Sequence, residues 1–149
     1  MKTYTEKVGT KLNDLLEKTY DAEKGYRKAA ENVKHTALKN YFNNKAQMRE
    51  KFGYELKSEI VSFGQEPEQS GSVTGNFHRA WMDVKSFLSS DNEESMLEEA
   101  IRGEKASVEE YDEVLAETSL PPSTQTILSQ QKNKIEEDLS EIKTLEDLK

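Results

Sequence analysis

Four charged residues interrupt stripes whose helical spacing calls for apolar side chains: Glu23, Arg49, Glu104 and Asp138. Glu23 stands four residues after Thr19 and three before Tyr26. Arg49 lies between Lys45 and Phe52, Glu104 between Ile101 and Val108, and Asp138 between Ile135 and Ile142. A charge buried alone is strongly unfavourable, so each must find a partner. Two chemistries follow. The carboxylates hold a metal ion, or they form a buried ion-pair network with Arg49, whose five donors can serve two carboxylates. Tyr26, Tyr111, Gln131 and Asp138 are placed to add hydrogen bonds to such a network.

The other groups with chemical potential are few. Cysteine is absent, which removes disulfides, thiolate metal sites and a thiol nucleophile. His35 falls where two helical patterns meet and suits a capping or exposed position. His78 stands beside Arg79 and Trp81 and is either a ligand or acid/base group at a bundle face, or part of a docking contact. Ser70, Ser72 and Thr74 have no His or Asp partners for nucleophilic catalysis. Gly71 and Gly75 read as turn residues, since their spacing is not that of a phosphate loop.

Long amphipathic helices must position these groups. From about Thr5 to Val33, Val8, Leu12, Leu15, Leu16, Thr19, Ala22, Tyr26, Ala30 and Val33 recur at steps of three and four. Thr5 is placed to cap this helix. A second stripe over 36–63 contains Leu38, Tyr41, Phe42, Lys45, Arg49, Phe52, Leu56, Ile60 and Phe63. Thr36 is a cap at its start, and Gly64 suits a left-handed residue at its end. Gly53, inside this pattern, suggests close approach of a neighbour. Each helix has about 28 residues, roughly 40 Å long. After a loop, Phe77, Trp81, Val84 and Leu88 predict a short helix over 75–89. Leu97, Ala100, Ile101, Val108, Tyr111 and Leu115 predict a helix over 92–117. Ile127, Leu128, Ile135, Ile142 and Leu145 predict another over 122–148, opened by Pro122.

The sum is one all-α domain over 1–149: an up-down four-helix bundle of two hairpins, with one long crossover containing the short extra helix. One long crossover is the mark of ferritin-like bundles. Folding the hairpins about residues 34 and 120 brings Glu23, Arg49, Glu104 and Asp138 to similar depth. Di-iron bundles of that class also need a Glu-x-x-His on each of two helices. None occurs in this chain, and Arg49 places a cation where a metal would need anions.

The net charge of −8 is uneven. Residues 1–75 carry 13 Lys/Arg and 11 Asp/Glu, and residues 76–149 carry 8 and 18, so the halves are +2 and −10. Nucleic-acid binding through a basic face is not expected. Complementarity between packed halves is. No apolar run is long enough to span a bilayer and none resembles a signal peptide, so a cytoplasmic protein without a membrane partner is expected.

Several strings together resemble an uncharacterised bacterial family of four-helix-bundle proteins in the ferritin-like superfamily, a domain of unknown function. They are Leu12-Asn13-Asp14-Leu15, Asp21-Ala22-Glu23-Lys24-Gly25-Tyr26 with Ala29-Ala30-Glu31, Arg49 with Glu55-Leu56, and Ser70-Gly71-Ser72 with Gly75. His78-Arg79-Ala80-Trp81, Arg102-Gly103-Glu104 and Tyr111 complete the set. The resemblance implies the fold, and a site at Glu23 and Glu104, but no established activity. The leading expectation is a non-enzymatic, stress-related bundle without a cofactor, acting through its surface or as a homodimer. One alternative is a metal-binding protein or oxidase that uses iron or another divalent metal at Glu23, Glu55, Glu104 and His78. The other is a small-ligand carrier with a cavity near the tyrosines.

Overall fold

The computed structural model describes residues 3–68, 93–117, 119–143 and 147. Among them are four helices and no strand: α1 (Tyr4–Asn32), α2 (Thr36–Ser62), α3 (Glu93–Leu115) and α4 (Pro122–Glu141). The short helix expected over 75–89, and His78 with it, lies outside the described residues.

Several helix ends have an identifiable local reason. Thr3, not Thr5, caps α1, its Oγ1 accepting the Glu6 amide at 3.2 Å. His35 caps α2, its Nδ1 accepting the Leu38 amide at 3.2 Å, so Thr36 is the first helical residue instead of the cap. Glu93 at the start of α3 accepts the Lys34 and His35 amides at 2.7 and 3.1 Å, which ties α3 to the turn between α1 and α2. These bonds, His35's first and Lys34's second, hold the Glu93 carboxyl below its ordinary range. Gly64 closes α2 with φ of +74°. The Gly64 amide reaches the Val61 carbonyl and the Gln65 amide reaches that of Ile60, the paired bonds of a Schellman ending. Helix α4 stops at Glu141, short of residue 148, where Ile142 turns to extended backbone (φ −112°, ψ 108°) and packs toward the core.

The ladder of cross-helix contacts sets the topology. Tyr26 meets Glu104, Lys18 meets Glu110 and Lys11 meets Glu117, so α1 and α3 are antiparallel. Lys45 meets Asp138, Glu55 meets Gln131 and Glu59 meets Thr124, so α2 and α4 are antiparallel too. Since α1 and α2 form a hairpin, α2 and α3 run the same way. The end of α2 and the start of α3 therefore lie at opposite ends of the bundle.

Two apolar clusters fill the interior. One gathers Ala22, Tyr26, Ala29, Val33, Leu38, Phe42, Met96 and Leu97 near the α1–α2 turn. The other gathers Leu12, Leu16, Phe52, Leu56, Ile60, Tyr111, Leu128 and Ile135. Between them runs a layer of buried polar side chains: Thr19, Lys45, Arg49, Glu104 and Gln131. Beyond α2, residues 65–68 lie along α1. Asn13 clamps them by donating to the Glu66 carbonyl at 3.0 Å and accepting the Glu68 amide at 2.8 Å, and Tyr20 donates to the Glu68 carbonyl at 2.9 Å.

Candidate functional site: a buried carboxylate between two cations

Glu104 sits on the stripe of α3 at the level where Tyr26 of α1 and Arg49 of α2 turn inward, and it is 0% exposed. Its Oε1 accepts from Arg49 Nη2 at 2.6 Å and from the Tyr26 hydroxyl at 2.5 Å. Its Oε2 faces Lys45 Nζ at 3.5 Å. Lys45 in turn donates to Asp138 Oδ2 of α4 at 2.7 Å. Helices α2, α3 and α4 thus supply one alternating chain of charges, in which the two cations are balanced by the two carboxylates, and α1 adds the Tyr26 hydroxyl. Charge-assisted bonds of this kind are the strong ones, and their alternation removes the cost of an unpaired buried ion.

The electrostatic consequences follow from that balance. Burial alone would raise the Glu104 pKa, but Arg49, Lys45 and the Tyr26 hydrogen bond outweigh it and hold the carboxyl below its ordinary value. Burial works against the Arg49 cation as well, yet Glu104 more than compensates, so the guanidinium stays charged. Tyr26 is pushed well above its ordinary range, by burial first and by the Glu104 charge second. Burial likewise raises Tyr111, with Arg49 opposing it, and raises Tyr41, where Glu104 and Asp138 add to the effect.

A second polar chain lies one layer on. Tyr111 donates to Gln131 Oε1 at 2.6 Å. Gln131 Nε2 donates to Glu55 Oε1 at 2.9 Å and to the Phe52 carbonyl at 3.3 Å. At the far end of α2, Glu59 is 8% exposed and accepts from Ser123 Oγ and Thr124 Oγ1 at 2.9 and 2.8 Å. It supplies, from a neighbouring helix, the anion that the start of α4 lacks locally.

The structure therefore brings Tyr26, Arg49 and Glu104 into direct contact, joins Asp138 to them through Lys45, and places Tyr111 beside them. Glu23 is elsewhere. It pairs with Arg27 at 2.9 Å, and Arg27 also reaches Glu50. The seam position is taken by Ala22, buried at 1% exposure, and Glu23 lies one residue round the helix from it. Lys45 is the member that sequence reasoning left out of the cluster. Its signal was its place in the α2 stripe, four residues before Arg49. Glu59 was missed because it flanks the seam residue Ile60.

The same geometry bears on a metal centre at Glu23, Glu55, Glu104 and His78. Glu23 is held by Arg27, Glu55 by Gln131, and Glu104 by two cations and a hydroxyl. His78 lies outside the described residues. Among the described residues, no three carboxylate or imidazole groups converge on one point. A divalent cation beside Glu104 would stand against Arg49 and Lys45, so the described members of this set do not fit a shared metal. Among the described residues, no helix is long and apolar enough to cross a membrane.

Between α2 and α4 lies a groove of about 970 Å³, with Tyr41, Met48, Phe52, Lys45, Gln131 and Asp138 among its lining. Lys45, 2% exposed, is the link between this groove and the buried chain of charges.

No curated protein matches the chain. Residues 7–117 match the family described as a domain of unknown function, DUF2383. That span carries α2, α3 and all but the first three residues of α1, and with them Tyr26, Lys45, Arg49, Glu104 and Tyr111. The chain therefore belongs to the DUF2383 family of domains of unknown function.

Proposed function

We propose that this is a non-enzymatic helical-bundle protein of the cytoplasm, acting through its surface or as a homodimer. In this reading the buried charges select the helix register and are not a reaction centre. The observation that carries it is the saturation of Glu104. Both its oxygens face donors of the protein's own, and the carboxylate is sealed from solvent. A catalytic carboxylate needs room for a substrate atom or water at hydrogen-bond distance. The parallel course of α2 and α3 supports a ferritin-like arrangement of two hairpins joined by one long crossover. The absence of cysteine in the sequence suits a reducing compartment.

Metal analysis tests this reading directly. Protein purified without chelator is incubated with ferrous iron, desalted and assayed for bound iron, beside Glu104→Gln. The expected result is no stoichiometric iron that depends on Glu104. Iron bound by the parent and lost in the variant would replace this reading with the metal-binding one.

A second reading, a small-ligand carrier, is favoured by the groove between α2 and α4. Its volume is in the range of ligand sites, and it combines Tyr41, Met48 and Phe52 with amide and charged groups. Chemical-shift changes confined to Tyr41, Met48 and Phe52 on titration with a small-molecule library would support it.

A further inference from the structure

Arg49 holds Glu104 through Nη2, but its Nε is buried and has no hydrogen-bond partner among the described residues. An unsatisfied donor on a charged, buried group is a rarity that calls for a ligand. The Arg49 side chain lines a cavity of about 20 Å³ between α1 and α3. Around it stand Thr19, Ser107 and Tyr111, with Lys18 and Glu110 completing the wall. Lys18 and Glu110 form an ion pair across this wall, between the two helices.

We infer that this cavity is a binding site for a single water molecule that accepts the Arg49 Nε–H bond. The volume decides the number, because one water needs roughly 10–15 Å³ of such space. Charge decides the chemistry. Arg49 is already matched by Glu104, and Lys18 by Glu110, so the cavity has no surplus positive charge to draw in an anion. A neutral dipole fits, and the wall offers acceptors for its two hydrogens. Thr19 Oγ1 spends its own hydrogen on the Leu15 carbonyl at 2.7 Å, and Tyr111 spends its hydrogen on Gln131. Both oxygens keep lone pairs. The water joins the two polar chains of the interior, one running through Glu104 and the other through Gln131.

Two measurements on the full chain test this. A high-resolution crystal structure, with a second crystal soaked in sodium bromide, should show density within hydrogen-bond distance of Arg49 Nε and no bromine anomalous signal there. A bromine peak at that position would show an anion site and overturn the inference, as would absence of density. In solution, the Arg49 Hε resonance should show a rotating-frame Overhauser peak to water, opposite in sign to the diagonal. An Hε resonance without that peak would also overturn it.

Discussion

Arg49 Nη2 and the Tyr26 hydroxyl converge on the same oxygen of Glu104, at 2.6 and 2.5 Å, so three helices meet at one atom. Lys45 then carries the chain on to the fourth helix through Asp138. The interior is therefore held at this level by directional contacts as well as by packing. Apolar side chains can slide past one another by a turn, whereas a buried carboxylate that loses its donors cannot remain charged.

Removing one partner should be costly. Arg49→Met leaves Glu104 ionised and buried with only Lys45 and Tyr26, and should lower stability by roughly 3–5 kcal/mol in urea unfolding. Arg49→Met with Glu104→Leu removes both charges and leaves Lys45 paired to Asp138. The double variant should recover most of that loss. A single-variant effect below about 1 kcal/mol, within the range of exposed pairs, would contradict the buried network.

Acid should act through Glu104. Its folded pKa lies below the ordinary 4.5, so the unfolded chain binds the proton first as pH falls. The stability contributed is fully present above about 4.5 and is lost as pH drops through the lower folded value. Urea midpoints measured from pH 7 downward should show a steeper acid loss for the parent chain than for Glu104→Gln. Equal slopes would place the acid sensitivity elsewhere.

Alkali should act through the tyrosines. Tyr26, Tyr41 and Tyr111 are all raised above the ordinary value of 10.0. Their phenols stay protonated in the fold and ionise more easily in the unfolded chain. Stability is therefore intact below about pH 10 and falls as pH rises above it. Ultraviolet titration should show Tyr26, Tyr41 and Tyr111 ionising together with loss of helical circular dichroism. Their ionisation with the helical signal unchanged would contradict the buried placement.

The glycines of the first hairpin should separate cleanly. A Cβ at Gly53 would meet Leu16, Thr19 and Tyr20 at ordinary distances of 3.8–4.0 Å, so close approach does not require glycine there. Gly53→Ala should stabilise the protein by about 0.5–1 kcal/mol through backbone entropy. A Cβ at Gly9 would fall 2.6 Å from Gln65 Cγ, so Gly9→Ala should displace residues 65–68 from α1 and gain less or lose. Thermal melts of the two variants give the comparison.

The sequence alone determined the four helices, the two hairpins and the similar depth of Arg49, Glu104 and Asp138, though not the place of Glu23. Steps of three and four residues define a helix face whatever packs against it, and short links leave hairpins few alternatives. The charge imbalance between the halves was also informative. Among the described residues, every ion pair joining the halves sets a cation of the first against a carboxylate of the second, as in Lys11–Glu117 and Lys45–Asp138. Tertiary structure decided which of two adjacent residues occupies the seam. Ala22 and Glu23 both satisfy the spacing from Thr19 to Tyr26, and a rotation of about 100° separates them. Only the partner helix, which buries Ala22 and leaves Glu23 to Arg27, distinguishes them. Lys45 was likewise settled in three dimensions, because a long side chain in a stripe can reach either outward to water or inward to a carboxylate, and Glu104 and Asp138 hold it inward.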